Sequence, residues 1–187
     1  MKSNTVLVLF LTGFVLGSIY DGFHTHSGTT YYPVPWLFQM AWWTPFLFGA
    51  ASLLIGIAHI RFEAYSNPFL GSPTWGRVVL GFFAFGVLYF ASGYFKVSTM
   101  LKFTTLGIGS LLIWYYFDRT RKGFSLNIAI ATVGCLMEIL LGFFNKFHYV
   151  HPDFLGIPFW LPFLYIGGSV TVGNLARKLE IRESILL

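Results

Sequence analysis

Six long apolar stretches constrain this chain most, because each is about as long as a membrane-spanning helix. A bilayer core about 30 Å thick is crossed by about 20 apolar residues in a helix. Only 10% of the 187 residues are charged, whereas a soluble domain carries about a quarter. The composition predicts an all-α integral membrane protein with a single domain, residues 1–187. Its six transmembrane helices are predicted at residues 5–20, 36–60, 78–95, 97–117, 125–144 and 154–175.

The third and fourth stretches are almost continuous. Lys96 and Lys102 are the only charged residues between positions 78 and 117, a run about twice as long as one span needs. Two helices joined by a tight hairpin near Lys96 are therefore predicted.

The basic residues are distributed unequally between the two faces of this topology. Six spans place both termini on one side, and nine of the twelve basic residues fall there. They are Lys2, Arg61, Arg77, Arg119, Arg121, Lys122, Arg177, Lys178 and Arg182, whereas Lys96, Lys102 and Lys146 fall on the other side. The positive-inside rule therefore predicts that both termini are cytoplasmic. In a membrane protein the positions of the basic residues matter more than their sum, so the net charge of +5 does not indicate nucleic-acid binding.

Small residues and prolines suggest how the helices pack. Gly13 and Gly17 form a small-xxx-small pair, which favours close approach of another helix. Pro45, Pro158 and Pro162 fall inside predicted spans, where a proline removes a hydrogen bond and kinks the helix. Kinked helices would splay and leave a cavity open to lipid, although prolines are also simply common in membrane helices.

The stretch "WYYFDRTRKG" places Asp118 where an apolar span ends. Trp114 lies one helical turn earlier, so the two side chains share a helix face. Asp118 could simply pair at the interface with Arg119, Arg121 or Lys122 beside an aromatic belt. Alternatively, it offers a carboxylate to a ligand headgroup or to a partner helix.

Glu138 lies near the middle of the fifth span, where an ionised group is costly. It is expected to face protein or water, with a role in function or oligomer contact. The alternative is a protonated glutamate that is hydrogen-bonded to a neighbouring helix.

Four histidines and two aspartates fall on the non-cytoplasmic side: His24, His26, His148, His151, Asp21 and Asp153. These residue types can bind zinc or copper. However, His24 and His26 are expected in an irregular segment, and the chain has no HExxH or CxxC motif. Polar interfacial loops explain them more simply, so no metal and no cofactor is predicted.

Three stretches together resemble the insulin-induced-gene (Insig) family. They are "WYYFDRTRKG", "HPDFLGIPFWLPF" and "GGSVTVGNLARKL", and the earlier "AWWTP" and "TTYYP" fit the same pattern. The resemblance implies a six-helix, non-catalytic regulator. In eukaryotes it implies a protein of the endoplasmic reticulum that binds oxysterols, takes part in cholesterol homeostasis and retains the sterol-sensing domains of Scap and HMG-CoA reductase.

The resemblance also implies roles for individual residues. The family's partner-binding aspartate falls on Asp118, and its cavity tryptophan falls on Trp114. A family phenylalanine falls near Phe85, and the small residues of the last span fall on Gly168 and Ser169.

Two features depart from the family pattern. The segment His24-Thr25-His26-Ser27 stands where relatives carry Q-I-Q-R, which puts any role of that motif in doubt. The family's long N-terminal extension does not precede the first span. A minimal prokaryotic homologue in the bacterial inner membrane is therefore expected.

These observations lead to one functional hypothesis and two alternatives. The hypothesis is an Insig-like protein that binds a sterol, diacylglycerol or phospholipid in an intramembrane cavity walled by Phe85, Trp114, Gly168 and Ser169. Asp118, Arg119 and Arg121 would contact the ligand's polar end or a partner. The glycines also favour close packing between copies of the chain, which suggests a homo-oligomer such as a trimer. The alternatives are a small transporter or channel that uses Glu138 and a metal-dependent membrane enzyme that uses the histidines.

Overall fold

The computed structural model describes residue 1, residues 3–66 and residues 72–181. Within these ranges the chain forms six long helices, one for each predicted span. They are α1 (Ser3–His26), α2 (Thr44–Ser66), α3 (Trp75–Tyr94), α4 (Thr99–Phe117), α5 (Arg121–Phe143) and α6 (Leu161–Ile181). Two basic residues used in the topology prediction, Lys2 and Arg182, lie outside the described residues.

Helix α1 changes its winding part-way along. Residues Gly13–Gly17 form a π-helical turn between two α-helical segments, Ser3–Thr12 and Ser18–His26. Phe48 of α2 packs directly on this turn, and a Cβ atom added at Gly17 would lie 2.7 Å from the Phe48 Cβ. The glycine pair therefore allows the close helix approach predicted for it.

Side-chain caps explain where three helices begin. The hydroxyls of Thr74, Ser98 and Thr120 accept hydrogen bonds from backbone nitrogens in the first turns of α3, α4 and α5. Such caps satisfy N–H groups that have no partner within the helix. The cap at Ser98 lies just beyond Tyr94, the last residue of α3, and confirms the predicted hairpin near Lys96.

The predicted proline kinks are wrong. Helix α2 begins at Thr44 rather than Trp36, and α6 begins at Leu161 rather than Phe154. Pro45 and Pro162 therefore occupy first turns, where a missing N–H costs no hydrogen bond, and Pro158 precedes α6. The error arose because the loops before α2 and α6 are also apolar, and hydropathy alone does not separate an apolar loop from the helix that follows it.

A short two-stranded ribbon closes one end of the bundle. Strand β1 (Thr30–Tyr31) pairs antiparallel with β2 (His148–Tyr149), with Thr30 opposite Tyr149. It joins the α1–α2 connection to the α5–α6 connection. We call this the ribbon end, and we call the opposite end, which carries Arg77, Arg119, Arg121 and Arg177, the basic end. The Met1 nitrogen lies 3.7 Å from Glu180 Oε1, so the start of α1 and the end of α6 share the basic end.

Helix α6 is the centre of the bundle, since it packs against each of the other five helices. Ser169, Val170 and Ala176 on this helix have no exposed surface. Among the described residues, α1, α3, α5 and the Thr44–Glu63 part of α2 are long and apolar enough to cross a membrane. Helix α6 is less apolar than those four because it carries several buried polar residues, Ser169, Thr171, Asn174 and Arg177.

Candidate functional site

A cavity of about 130 Å³ lies between α1, α2, α3, α5 and α6. Most of its lining residues are half-buried, so the cavity can be reached from the bundle surface. Its walls are apolar and aromatic, with polar groups at a few points. The lining residues are Thr12, Gly13, Leu16, Gly17, Tyr20, Phe48, Ala51, Ser52, Ile55, Phe82, Phe85, Tyr89, Glu138, Leu161, Leu164, Tyr165, Gly168, Ser169 and Val172.

Three of the predicted wall residues lie in this cavity: Phe85, Gly168 and Ser169. The Phe85 ring packs over Gly168, where an added Cβ would lie 3.1 Å from the ring Cζ. Along α6 the wall runs from Leu161 to Val172, roughly 16 Å at 1.5 Å per residue. The cavity is therefore elongated along the bundle axis.

Glu138 forms the polar group of the cavity nearest the ribbon. Its Oε1 accepts a hydrogen bond from the Tyr165 hydroxyl at 2.6 Å, and its Oε2 accepts one from the Tyr149 hydroxyl at 2.7 Å. Burial, and then the neighbouring Glu138 carboxylate, raise the pKa of the Tyr149 hydroxyl well above its usual range. Tyr149 therefore stays protonated and remains a donor.

A second polar group meets the cavity farther from the ribbon. Ser169 donates to Asn127 Oδ1 at 2.6 Å, and His59 Nε2 lies 3.0 Å from the Ser169 hydroxyl. The Ser52 hydroxyl, also in the wall, is buried and has no hydrogen-bond partner among the described residues. Ser52 and Ser169 thus add hydroxyl groups to the wall formed by α2 and α6.

An ion pair anchors α6 to α2 at the basic end. Arg177, which is only 3% exposed, donates through Nη1 to Glu63 Oε1 at 2.5 Å. Its Nη2 donates to Asn174 Oδ1 at 3.2 Å, and Asn174 donates to the Phe117 carbonyl at 3.1 Å. These contacts join α2, α4 and α6 and have a structural role.

Trp114 lies in the last turn of α4, Asp118 follows that helix directly, and neither residue lines the cavity. Asp118 is 3% exposed, and its Oδ1 accepts from the Thr120 nitrogen at 3.2 Å and the Thr120 hydroxyl at 2.6 Å. Trp114 donates through Nε1 to the Thr120 carbonyl at 3.2 Å and packs on Phe124. The Trp114 ring is therefore held against the α4–α5 turn and is not part of this cavity wall, and its predicted role in lipid binding stays a prediction.

The two arginines of the turn are exposed. Arg119 has a backbone φ of 61°, and its guanidinium lies 4.7 Å from the centre of the Tyr115 ring. Arg121 is the first residue of α5. Asp118 thus stabilises the turn from inside, while Arg119 and Arg121 form its outer surface.

Comparison with known proteins assigns the chain to a family. The model of the family "Insulin-induced protein (INSIG)" matches residues 4–180. The chain belongs to the Insig family. It is 32% identical over 180 residues to insulin-induced gene 1 protein of Danio rerio, covering 94% of this chain and 72% of that protein. It is 30% identical over 182 residues to insulin-induced gene 2 protein of Gallus gallus, covering 95% and 81%.

The Insig relatives also include solved structures and longer proteins. Human insulin-induced gene 1 protein is 32% identical over 180 residues, and this chain spans only 65% of its length. The crystal structure of the Insig homologue MvINS from Mycobacterium vanbaalenii shares the fold, with a TM-score of 0.85 at 23% identity over 98% of this chain and 97% of that one. A cross-linked trimer of an MvINS variant matches equally well. Family membership and the apolar helices make the chain an integral membrane protein.

Several polar residues in this Insig bundle were not predicted as neighbours. The Tyr32 hydroxyl donates to Asp21 Oδ2 at 2.8 Å, and His24 Nε2 lies 2.6 Å from the Ser92 hydroxyl. His24 and His26 lie in α1 rather than in an irregular segment, and His24 is buried. Among the described residues, no group of three or more His, Cys, Asp or Glu side chains is placed to hold a metal ion.

The cavity tyrosines were also missed. Tyr20, Tyr89 and Tyr165 each lie within an apolar run, so hydropathy alone cannot separate them from lipid-facing aromatic residues. The helical spacing of Tyr165 and Gly168 could have identified Tyr165, because residues three apart share a helix face and Gly168 was already a predicted wall residue. The structure adds that this face is the one turned towards Glu138.

Proposed function

We propose that this protein is a non-catalytic, Insig-like membrane protein that binds one end of a sterol or glycerolipid between α1, α2, α3, α5 and α6. The observation that carries the proposal is the elongated apolar cavity that contains Phe85, Gly168 and Ser169. Family membership supports a regulatory rather than a catalytic role.

The size of the cavity suggests how a lipid would be held. Pockets that enclose a drug-sized ligand measure about 300–1,000 Å³, and this cavity measures about 130 Å³. A lipid would therefore place one end inside and leave the rest in the bilayer. Because lipid tails already provide an apolar solvent, the bound end would gain mainly from shape fit and from polar contacts.

The partner surface belongs to the same proposal. Arg119 and Arg121 are exposed on the α4–α5 turn, so they are available to a second protein. Buried Asp118 would contribute by holding the turn in shape. The partner class implied by the family resemblance is a sterol-sensing membrane domain like those of Scap and HMG-CoA reductase. In a cell without them, a second copy of this chain would be the partner.

Topology and assembly are also proposed. The shared position of Met1 and Glu180, together with the basic end, supports six spans with both termini cytoplasmic. The cross-linked trimer of the MvINS variant supports a homotrimer. The membrane would be the bacterial inner membrane in a prokaryote and the endoplasmic reticulum in a eukaryote.

Blocking the cavity tests the proposal. Ala51 lines the cavity, whereas Ala50 is exposed on another face of the same helix. Ala51→Phe should reduce the lipid that copurifies in mild detergent at least tenfold, because the ring occupies the cavity. Lipid would be quantified per protein by mass spectrometry.

The matched control is Ala50→Phe, which adds the same ring on the exposed face and should retain the lipid. If Ala51→Phe remains folded and retains the wild-type amount of lipid, the cavity is not the binding site. If wild-type protein binds neither sterols nor glycerolipids, the proposed function is wrong.

A further inference from the structure

The ribbon half of the cavity combines one carboxylate with a group of aromatic rings. We propose that this half selects lipids whose polar end is an ammonium group, which would bind between Glu138 and the rings of Tyr20, Tyr89 and Tyr165. This inference rests on the proposed function and specifies the chemical class of its ligand.

Both oxygens of Glu138 are placed as hydrogen-bond acceptors, an arrangement that suits an ionised carboxylate. Both oxygens accept from phenolic hydroxyls, Oε1 from Tyr165 at 2.6 Å and Oε2 from Tyr149 at 2.7 Å. Hydrogen bonds to an ionised group are about twice as strong as those between neutral groups. A carboxylate offers about four acceptor sites, so two remain for a ligand that reaches Glu138 through the cavity.

Among residues 1, 3–66 and 72–181, no basic side chain forms an ion pair with this carboxylate. The ion pairs seen in this part of the chain include those of Met1 with Glu180 and of His59 and Arg177 with Glu63. Lys102 of α4 donates instead to the Ser92 carbonyl at 2.8 Å and lies over the Trp160 ring. A charge held inside a membrane bundle is costly unless it is paired. A cationic ligand would supply the missing partner.

The aromatic rings beside Glu138 suit a cation. Tyr20 stacks on Tyr89 with ring centres 5.6 Å apart, and Phe85 meets both rings edge-on at 5.4 and 5.8 Å. All three residues share the cavity wall with Glu138. The Tyr20 hydroxyl donates to the Phe82 carbonyl at 2.9 Å, so Tyr20 contributes its ring rather than its hydroxyl. Aromatic faces attract ammonium groups, and more strongly where water is excluded.

A lipid with a neutral headgroup would make fewer favourable contacts at this site than a lipid with an ammonium group. A sterol or glycerol hydroxyl could donate one hydrogen bond to Glu138, but the carboxylate charge would remain unbalanced. A primary ammonium offers both the charge and three donors. A long-chain amine or amino alcohol therefore fits the ribbon half better than an alcohol with the same tail.

Matched probes test this inference. Octadecylamine and octadecanol share a tail, and the amine is protonated at pH 7 as lysine is. Binding of both probes would be measured in lipid nanodiscs by native mass spectrometry. Wild-type protein should bind the amine at least about tenfold more tightly than the alcohol, and Ala51→Phe should weaken the binding of both probes.

Two variants separate the carboxylate from the rings. Glu138→Gln is close in size but has no charge, so it should remove the preference for the amine, and the two probes should then bind within about twofold of each other. Tyr20→Leu retains the carboxylate and removes one ring, so it should weaken amine binding about fivefold. Tyr20→Leu also keeps the test decisive if Glu138→Gln does not fold.

The outcomes distinguish the inference from the proposed function. Equal binding of both probes by wild-type protein, or an amine preference that survives Glu138→Gln, would overturn the ammonium site and leave the lipid cavity intact. If neither probe nor any sterol or glycerolipid binds, both the inference and the proposed function are wrong.

Discussion

Asp118 and Glu138 are both carboxylates that accept hydrogen bonds within this bundle, but their partners differ. Asp118 accepts from the nitrogen and the hydroxyl of Thr120, two residues along the chain. Glu138 accepts from Tyr149 and Tyr165, 11 and 27 residues away, and it lines the cavity. A carboxylate with local partners shapes a turn, whereas one with distant partners belongs to a site that exists only after the helices have packed.

The largest expected effect on stability is for Glu138, the carboxylate whose hydrogen-bond partners are distant in sequence. Glu138→Leu should lower the free energy of unfolding by about 2–4 kcal/mol, because it leaves two buried phenolic donors without an acceptor. Titration with a denaturing detergent would measure the change. Adding Tyr149→Phe and Tyr165→Phe to Glu138→Leu should recover most of the loss, since no unpaired donor remains. A loss below about 0.5 kcal/mol for Glu138→Leu alone would show that these hydrogen bonds do not hold the site together.

A smaller effect on stability is expected for Asp118, whose hydrogen-bond partner is two residues away. Asp118→Ala removes two hydrogen bonds within the α4–α5 turn and should cost about 1–2 kcal/mol by the same titration. Binding of octadecanol should not change, because Asp118 does not line the cavity. Asp118→Asn, the control, keeps the Oδ1 acceptor and should cost less than Asp118→Ala. Weaker octadecanol binding with unchanged stability in Asp118→Ala would contradict the distinction between the two carboxylates.

The smallest effect is expected on the outer surface of the same turn. Arg119 has a positive φ of 61°, a conformation that favours glycine. Arg119→Gly relieves this strain but loses the contact with Tyr115 and makes the unfolded chain more flexible. The free energy of unfolding should therefore change by no more than about 0.5 kcal/mol. A larger loss would assign Arg119 a structural role and remove it as a candidate partner contact.

The sequence predicted the number and order of the helices more accurately than the residues at which they begin and end. The six apolar runs correspond to six helices in the described residues, and the split near Lys96 is confirmed. The starts of α2 and α6 were placed too early, because loop residues at the bundle ends are also apolar. Hydropathy reports the average environment of a segment, whereas capping groups and the first-turn positions of Pro45 and Pro162 decide where a helix begins.

The candidate site was predicted only in part. Phe85, Gly168 and Ser169 lie together in the cavity wall, and they were selected by family resemblance rather than by periodicity. Trp114 and Asp118 came from the same resemblance, yet they lie at the end of α4, outside this wall. Motif matching identifies positions, but it does not report which way a side chain faces once neighbouring helices have packed.

The sequence by itself determined that the chain is a helical membrane protein of the Insig family, because helix length and apolar composition are set by bilayer thickness and by local propensity. Only the tertiary structure decided that Glu138, Tyr165 and the Tyr20–Tyr89 pair meet in one cavity. These side chains come from α1, α3, α5 and α6. Their proximity depends on how glycine-lined helix faces pack, which no single segment of sequence encodes.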